Sequence, residues 1–125
     1  WQALRATADP RITVHINPPD LPGLMARSNL AICAGGTTAW ELCFLGVPLL
    51  VLALEENQRS NAELLMNTGA ARGLGWVREL TTSRLVEEVR QLMADAAARA
   101  DMGKCGRALV DGLGSERVKT ILQNA

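Results

Sequence analysis

The sequence is poor in several residue types, and each shortage argues against a class of function. Only 3% of its 125 residues are aromatic, with one Phe and no Tyr, so a platform that stacks nucleic-acid bases is not expected. Thirteen Lys and Arg residues balance thirteen Asp and Glu residues, and this zero formal charge argues against a broadly basic grip on nucleic acid. No apolar run reaches the roughly 18 residues of a membrane-spanning helix, so no transmembrane segment is expected.

Histidine and cysteine are also scarce. One His and three Cys, with no Cys-x-x-Cys pair, provide too few ligands for a structural zinc site, so we expect neither a metal nor a cofactor. Cys33 and Cys43 stand in apolar stretches, which is typical of reduced, buried thiols in a cytoplasmic protein. The chain begins at Trp1 with helix-forming residues and no recognisable signal peptide, which suggests a piece of a longer protein.

Apolar residues make up 48% of the chain, enough for a packed core, and the length predicts a single domain over residues 1–125. Strand-like and helix-like patterns alternate along it. This alternation predicts an α/β fold, a Rossmann-like three-layer α/β/α sandwich around a small parallel sheet. Strands are predicted over 11–16, 30–33, 48–54 and 73–77. Helices are predicted over 1–8, 21–28 (capped by Asp20), from the 34–38 loop to Leu45, and over 57–67, 82–94, 95–109 and 116–123 (capped by Ser115).

The strongest local signal is the turn of Gly35, Gly36, Thr37 and Thr38, between a predicted strand and a predicted helix. Glycines remove the Cβ atoms that would keep a ligand away from the backbone. The first N–H groups of a helix are unpaired and lie at the positive end of its dipole. The turn is therefore typical of a phosphate site, although an ordinary strand-to-helix turn without a ligand explains the same residues. Neither a P-loop lysine nor a GxGxxG pattern is present.

Glu41 has two interpretations that its spacing leaves open. Thr38-x-x-Glu41 fits a capping box, in which the carboxylate closes the start of its own helix. Alternatively, the carboxylate lies one turn into the helix on the ligand side and accepts hydrogen bonds from the two vicinal hydroxyls of a ribose.

Asn57 and Gln58 lie in the second ligand-side loop, at the carboxyl end of the next strand. Their amides can donate and accept hydrogen bonds toward sugar hydroxyls or phosphate, but Asn57 is equally well explained as the cap of the following helix. His15 ends a predicted strand near the same edge, although a lone histidine without an acidic partner is more often structural or exposed.

Taken together, these residues resemble a known family. The run from Asn29 to Pro48, followed by residues 54–58, is similar to the carboxyl-terminal domain of GT-B enzymes that handle UDP-sugars. The similarity is strongest to the UDP-sugar hydrolase family of pseudaminic acid biosynthesis (PseG) and to related spore-coat polysaccharide proteins. It is more distant to the MurG family of lipid-II-forming N-acetylglucosaminyltransferases. The stretch 102–118 also resembles the tail of these proteins, and the resemblance covers roughly residues 10–123.

The resemblance implies a UDP or UDP-sugar ligand and a role for each matching residue. The diphosphate would contact Gly35, Gly36, Thr37 and Thr38, the ribose Glu41, the sugar and phosphates Asn57 and Gln58, and the uracil His15 and Ile16. It also implies an amino-terminal partner domain of the same protein, which would hold the catalytic base, so the chain alone would be inactive.

Three functions of the chain remain open at this point. In the first, the chain is the UDP-binding half of a hydrolase that releases UDP from a 2,4-diacetamido-2,4,6-trideoxy sugar. In the second, it is the equivalent half of a glycosyltransferase in surface or spore-coat polysaccharide biosynthesis. In the third, it is a non-catalytic binding or assembly module that keeps the fold.

Overall fold

Three short parallel strands form the centre of the structure, a computed structural model that describes residues 9–124. The strand order is β1-β2-β3, with Ala31 opposite Leu49 and Leu49 opposite Ala71. The strands are β1 (Ala31–Ala34), β2 (Leu49–Ala53) and β3 (Ala71–Trp76). The helices are α1 (Leu21–Ala26), α2 (Thr37–Leu45), α3 (Arg59–Asn67), α4 (Thr82–Ala94), α5 (Ala96–Leu109) and α6 (Gly114–Gln123), with 3-10 turns at Glu56–Gln58 and Val77–Glu79.

Helices pack on both faces of the sheet. Successive side chains of β2 point to opposite faces, so the strand contributes to a core on each side. Leu49 and Val51 pack into a core with residues of α1, α2 and α3. Leu50 packs on the opposite face against Leu92 of α4 and Met102 of α5. The predicted α/β sandwich around a small parallel sheet is therefore confirmed. No helix within residues 9–124 is long and apolar enough to cross a membrane.

Local sequence signals set the start of α1 and the end of α2. The Asp20 carboxylate accepts a hydrogen bond from the Gly23 N–H at 2.8 Å and starts α1. Gly46 ends α2 in the left-handed conformation, with φ 71°, a conformation in which glycine is unstrained. The helices predicted over 82–94 and 95–109 are present as α4 and α5.

The strand predicted over 11–16 is absent, and the prediction was wrong. Ile12, Val14 and Ile16, which alternate as a strand requires, are 45%, 38% and 47% exposed. A strand needs a neighbour for its backbone hydrogen bonds, and the described sheet holds only β1, β2 and β3. Alternation in the sequence predicts which side chains share a face but not whether a partner strand is available. The helix predicted over 1–8 lies outside the described residues.

Other boundaries differ for local reasons. The strand predicted over 30–33 is β1, an edge strand of the described sheet, and its Ile32 is 48% exposed. Ser115 does not cap α6, which already begins at Gly114. The helix predicted from 57 to 67 begins as a 3-10 turn and becomes α-helical at Arg59, and the helix predicted to end at Ser28 ends at Ala26.

Candidate functional site

The candidate site is the turn between β1 and α2, at the carboxyl edge of the sheet. Two of its four backbone N–H groups are bonded within the chain. Gly35 N–H donates to the Leu52 carbonyl at 3.0 Å, and Gly36 N–H donates to the Ala34 carbonyl at 2.8 Å. The N–H groups of Thr37 and Thr38 have no acceptor within residues 9–124, as expected for the first turn of a helix. Of the four residues of the turn, Thr37 and Thr38 therefore have backbone N–H groups that are free to bind a ligand.

The two glycines of the turn are needed for different reasons. A Cβ at Gly35 would lie 2.7 Å from the Gln58 carbonyl oxygen, so only glycine allows the loop after β2 to approach this closely. A Cβ at Gly36 would meet nothing within 4 Å. The backbone at Gly36 therefore faces open space, directly before the free N–H groups of Thr37 and Thr38.

Glu41 is not part of a capping box. The helix begins at Thr37, and Gly36 occupies the N-cap position, where no side-chain hydrogen bond closes the helix end. The capping interpretation, which required Thr38 to be the cap, was wrong. Glu41 is exposed, one turn into α2, and its carboxylate has no hydrogen-bond partner in the described part of the chain. It lines a cavity of about 620 Å³ together with Thr37.

This cavity lies between α1 and α2, and we call it the α1–α2 cavity. Apart from Thr37 and Glu41 its lining is apolar. The apolar part comprises Leu21, Pro22, Met25, Trp40, Phe44, Leu45 and Val110. The cavity is within the size range of small-ligand sites. Of its two polar side chains, Thr37 is the first residue of α2 and Glu41 lies one turn further along the helix.

Side chains of the loop after β2 and of α3 form the hydrogen bonds on this side of the turn. Gln58 Oε1 accepts a hydrogen bond from the Leu54 N–H at 3.0 Å, which leaves only its Nε2 group free to donate. Asn57 is exposed in the 3-10 turn and does not cap α3, because Gln58 stands at that position. Asn61 Nδ2 donates to the Gly35 carbonyl at 3.1 Å.

Asn61 contacts the turn of the candidate site, and the sequence analysis did not single it out. Its signal was an amide side chain three residues after Gln58, on the same side of the helix. Its bond to Gly35 connects α3 to the turn, so the two ligand-side loops form one structural unit.

His15 and Ile16 were predicted to border a uracil. His15 lines a cleft of about 460 Å³ that also contains Thr38, whereas Ile16 is 47% exposed and is not part of its lining. This cleft shares Leu21 and Met25 with the α1–α2 cavity.

Comparison with known proteins assigns the fold and its turn to a family. Residues 12–118 match the model described as the glycosyltransferase family 28 C-terminal domain. The chain belongs to this family. The match includes both ligand-side loops, and it confirms the glycosyltransferase part of the resemblance.

Three relatives illustrate the range of the family 28 domain. The chain is 38% identical over 105 residues to the spore coat polysaccharide biosynthesis protein SpsG of Bacillus subtilis (strain 168), covering 84% of the chain and 31% of the relative. It is 36% identical over 95 residues to the UDP-N-acetylglucosamine--N-acetylmuramyl-(pentapeptide) pyrophosphoryl-undecaprenol N-acetylglucosamine transferase of Nitrosococcus oceani, covering 72% and 26%. The transferase of the same name from Xanthomonas axonopodis pv. citri is 30% identical over 128 residues, covering 97% and 30%. The chain therefore spans less than a third of each relative's length.

Two thiols of the family 28 domain, those of Cys33 and Cys43, have raised pKa values because they are buried. Burial raises the pKa of Cys33 to about 11, and the nearby Cys43 thiol adds to the effect. Burial likewise raises the pKa of Cys43 to about 11. Both therefore stay protonated at neutral pH, and the thiolate is the reactive form. No three His, Cys, Asp or Glu side chains within residues 9–124 are placed to hold a metal ion.

The raised thiol pKa values predict a loss of stability in alkali. In the unfolded chain Cys33 and Cys43 release their protons near pH 9.0, whereas in the folded chain they keep them to about pH 11. The unfolded state thus binds fewer protons, and the free energy of unfolding falls as pH rises through this window. Urea unfolding at several pH values between about 8 and 11 should show a smaller loss for the Cys33→Ala/Cys43→Ala variant. Equal losses in both proteins would contradict the burial of these thiols.

Proposed function

We propose that this family 28 domain holds the nucleotide of a UDP-sugar, with the diphosphate at the amino end of α2. The observation that carries the proposal is the pair of unpaired N–H groups at Thr37 and Thr38, which directly follow Gly36, where a Cβ would meet nothing within 4 Å. The hydroxyls of the two threonines are exposed beside them and can donate further hydrogen bonds. Backbone donors and the positive end of the helix dipole together favour a phosphate at this position.

The α1–α2 cavity supports the placement of the nucleoside. The uracil ring would lie among its apolar side chains, and the ribose at its polar end beside Glu41. An unpaired carboxylate can accept hydrogen bonds from both vicinal ribose hydroxyls. His15 remains a candidate for contacts to uracil, because the cleft that it lines shares Leu21 and Met25 with this cavity. Ile16 is kept as a candidate because it follows His15 in the chain.

The sugar would extend from the diphosphate toward α3. Asn57 is exposed there, and Gln58 keeps a free Nε2 donor while its Oε1 atom is bound by Leu54 N–H. We assign both side chains to the sugar and the neighbouring phosphate. The proposed order along the carboxyl edge of the sheet is therefore nucleoside, diphosphate and sugar.

The reaction itself needs groups beyond this chain. The relatives are more than three times as long as the part that the chain covers. We propose that an amino-terminal domain of the same protein supplies the catalytic base and the acceptor site, and that the chain alone is inactive. A cytoplasmic location belongs to the proposal and is supported by three free cysteines.

Transfer of the sugar to a surface or spore-coat polysaccharide is the version that the relatives favour, since one is a spore coat polysaccharide biosynthesis protein and the others are N-acetylglucosamine transferases. Hydrolysis of a UDP-linked 2,4-diacetamido-2,4,6-trideoxy sugar is the second version, supported by the resemblance of the run 29–48 to the hydrolases. UDP release by the full-length protein with water as the only acceptor separates the two. A non-catalytic module would bind no UDP.

Glu41→Ala tests the proposed nucleotide site. We expect it to weaken UDP binding by about 1–3 kcal/mol, because the ribose hydroxyls lose a charged acceptor. The unmodified chain should also bind UDP more tightly than 2′-deoxy-UDP, and Glu41→Ala should remove this difference. Isothermal titration calorimetry measures all four affinities.

Glu87→Ala is the matched control for this experiment. Glu87 is an exposed carboxylate of α4, which packs on the opposite face of the sheet. Its substitution should leave both affinities unchanged. If Glu41→Ala bound UDP as tightly as the unmodified chain, the ribose assignment would be wrong.

A further inference from the structure

A basic cleft opens at the amino end of the sheet, the end opposite the turn between β1 and α2. Its volume is about 290 Å³. It is formed by the segments that lead from α1 into β1 and from α2 into β2, together with α5. Its polar side chains are those of Ser28, Asn29, Arg99, Lys104 and Arg107. We call it the α5 cleft.

A glycine of α5 brings the basic residues to this end of the sheet. A Cβ at Gly103 would lie 2.5 Å from the Gly46 carbonyl oxygen, so a side chain there would push α5 away from the end of α2. Arg99 and Arg107 are four residues before and four residues after Gly103, on the same side of the helix. The two arginines therefore flank the point where α5 contacts α2.

The Arg107 guanidinium has the largest number of free donors in the α5 cleft. It forms no ion pair and no hydrogen bond within residues 9–124. It lies over Gly46, where an added Cβ would clash with it, and the residue is exposed. All five of its N–H groups can therefore donate to a ligand.

The other two cations of the cleft are only partly used by the fold. Arg99 Nη1 donates to the carbonyls of Leu92 and Met93 at 2.5 and 2.6 Å, which leaves its Nε and Nη2 groups free. Lys104 Nζ lies 3.1 Å from Asp101 Oδ1, and both side chains are 72% exposed, so this pair is weak. No Asp or Glu of the described chain lines the cleft.

The helix ends around the cleft explain part of this charge, but not all of it. The carboxyl end of a helix carries about half a negative charge and favours a basic residue nearby. The bonds of Arg99 to the end of α4 are of this kind. Arg107 lies over the residue that ends α2 and yet donates to no carbonyl there. The cleft therefore keeps an excess of positive charge together with unused donors.

We infer that the α5 cleft binds a phosphate group, either free in solution or on a lipid headgroup. A phosphate group carries more than one negative charge at neutral pH and several acceptor oxygens, which suits a cleft with three cations. A carboxylate brings a single charge, which one guanidinium pairs with. The exposed Asn29 amide can donate to a further phosphate oxygen.

The inferred site is separate from the proposed nucleotide site, because the two lie at opposite ends of the parallel strands. Phosphate and UDP should therefore bind the domain at the same time. The inference does not depend on the proposed function, and either can fail without the other.

The test is an NMR titration of the full 125-residue chain with inorganic phosphate at constant ionic strength, with and without UDP. We expect saturable shifts of the amide signals of Ser28, Asn29 and Arg107 in both titrations. Arg107→Gln should weaken this binding about fivefold, the effect of losing one charged partner at an exposed site. Lys104→Gln should act in the same direction. Both side chains are exposed, so neither change disturbs the core.

Arg84→Gln is the matched control. Arg84 is an exposed arginine of α4 that forms no ion pair within the described residues, and its Nη1 lies 3.9 Å from a Cβ built at Gly75, near the carboxyl end of β3. The variant loses the same charge as Arg107→Gln, but at the other end of the sheet. It should leave phosphate binding at the α5 cleft unchanged.

Cosedimentation with vesicles distinguishes the two sources of phosphate. Binding to vesicles that contain phosphatidic acid, but not to pure phosphatidylcholine vesicles, would assign the cleft to a lipid headgroup if Arg107→Gln weakened it and Arg84→Gln did not. Saturable binding of inorganic phosphate without vesicle binding would assign it to a free phosphate. Absence of both, or equal weakening by Arg107→Gln and Arg84→Gln, would overturn the inference, because only general charge attraction would then remain.

Discussion

Gly36→Asp is expected to abolish UDP binding and, at the same time, to make the domain slightly more stable. Gly36 occupies the N-cap position of α2 with extended backbone and φ −101°, which any residue adopts. A Cβ there meets nothing within 4 Å. Aspartate is a better N-cap than glycine by a few tenths of a kcal/mol, and its negative charge favours the amino end of a helix.

The same carboxylate would take the place that we assign to the diphosphate. The carboxylate can accept hydrogen bonds from backbone N–H groups at the start of α2, including that of Thr38. Its negative charge also repels phosphate. We expect UDP affinity to fall at least about a hundredfold, since two or more charge-assisted hydrogen bonds are lost. In the unmodified chain, UDP should shift the NMR amide signals of Thr37 and Thr38, and in the variant it should not.

Gly36→Asn separates the effect of the carboxylate charge from the effect of the added side chain. Asparagine caps a helix about as well as aspartate but carries no charge, so this variant should lose UDP affinity to a smaller extent. Thermal unfolding of both variants should occur at or slightly above the temperature of the unmodified chain. UDP binding of normal strength by Gly36→Asp would place the nucleotide elsewhere, whatever family the domain belongs to.

The elements that surround this site were predictable because their signals are local. Apolar spacing within α4 and α5, the continuous apolar run of β2 and the left-handed glycine after α2 each act within a few residues. The strand expected at 11–16 failed because a strand also requires a neighbour, and a neighbour is a property of the whole fold.

The sequence was sufficient to predict where the candidate site lies, but not which of its backbone groups are free to bind a ligand. The spacing of the turn indicated its position at the amino end of a helix. It could not indicate that the N–H groups of Gly35 and Gly36 are already bonded to Leu52 and Ala34. Nor could it indicate the bond from Asn61 to Gly35, which joins residues 26 positions apart. Such contacts depend on how α3 packs beside the turn.

As a result of these contacts, the two neighbouring glycines of the turn have different roles. Gly35 is buried and connects the loops, whereas Gly36 leaves space for a ligand. Substitution of Gly35 should therefore mainly change stability, whereas substitution of Gly36 should mainly change ligand binding.

Gly35→Ala is expected to lower the free energy of unfolding by about 1–3 kcal/mol, the usual cost of forcing extra atoms into a packed site. The new Cβ would lie 2.7 Å from the Gln58 carbonyl oxygen and 3.3 Å from the Ala62 nitrogen. Both are backbone atoms, so no side chain can rotate away to relieve the clash. Urea unfolding of the variant and of the unmodified chain measures the difference.

Gly114→Ala provides the control, because a Cβ at Gly114 meets nothing within 4 Å and α6 begins there. It should leave stability unchanged or slightly raised, since alanine favours a helix more than glycine. UDP binding by Gly35→Ala should weaken as well, because the loop of Gln58 must move away from the turn. If Gly35→Ala were as stable as the unmodified chain, the close approach of the two loops would be wrong.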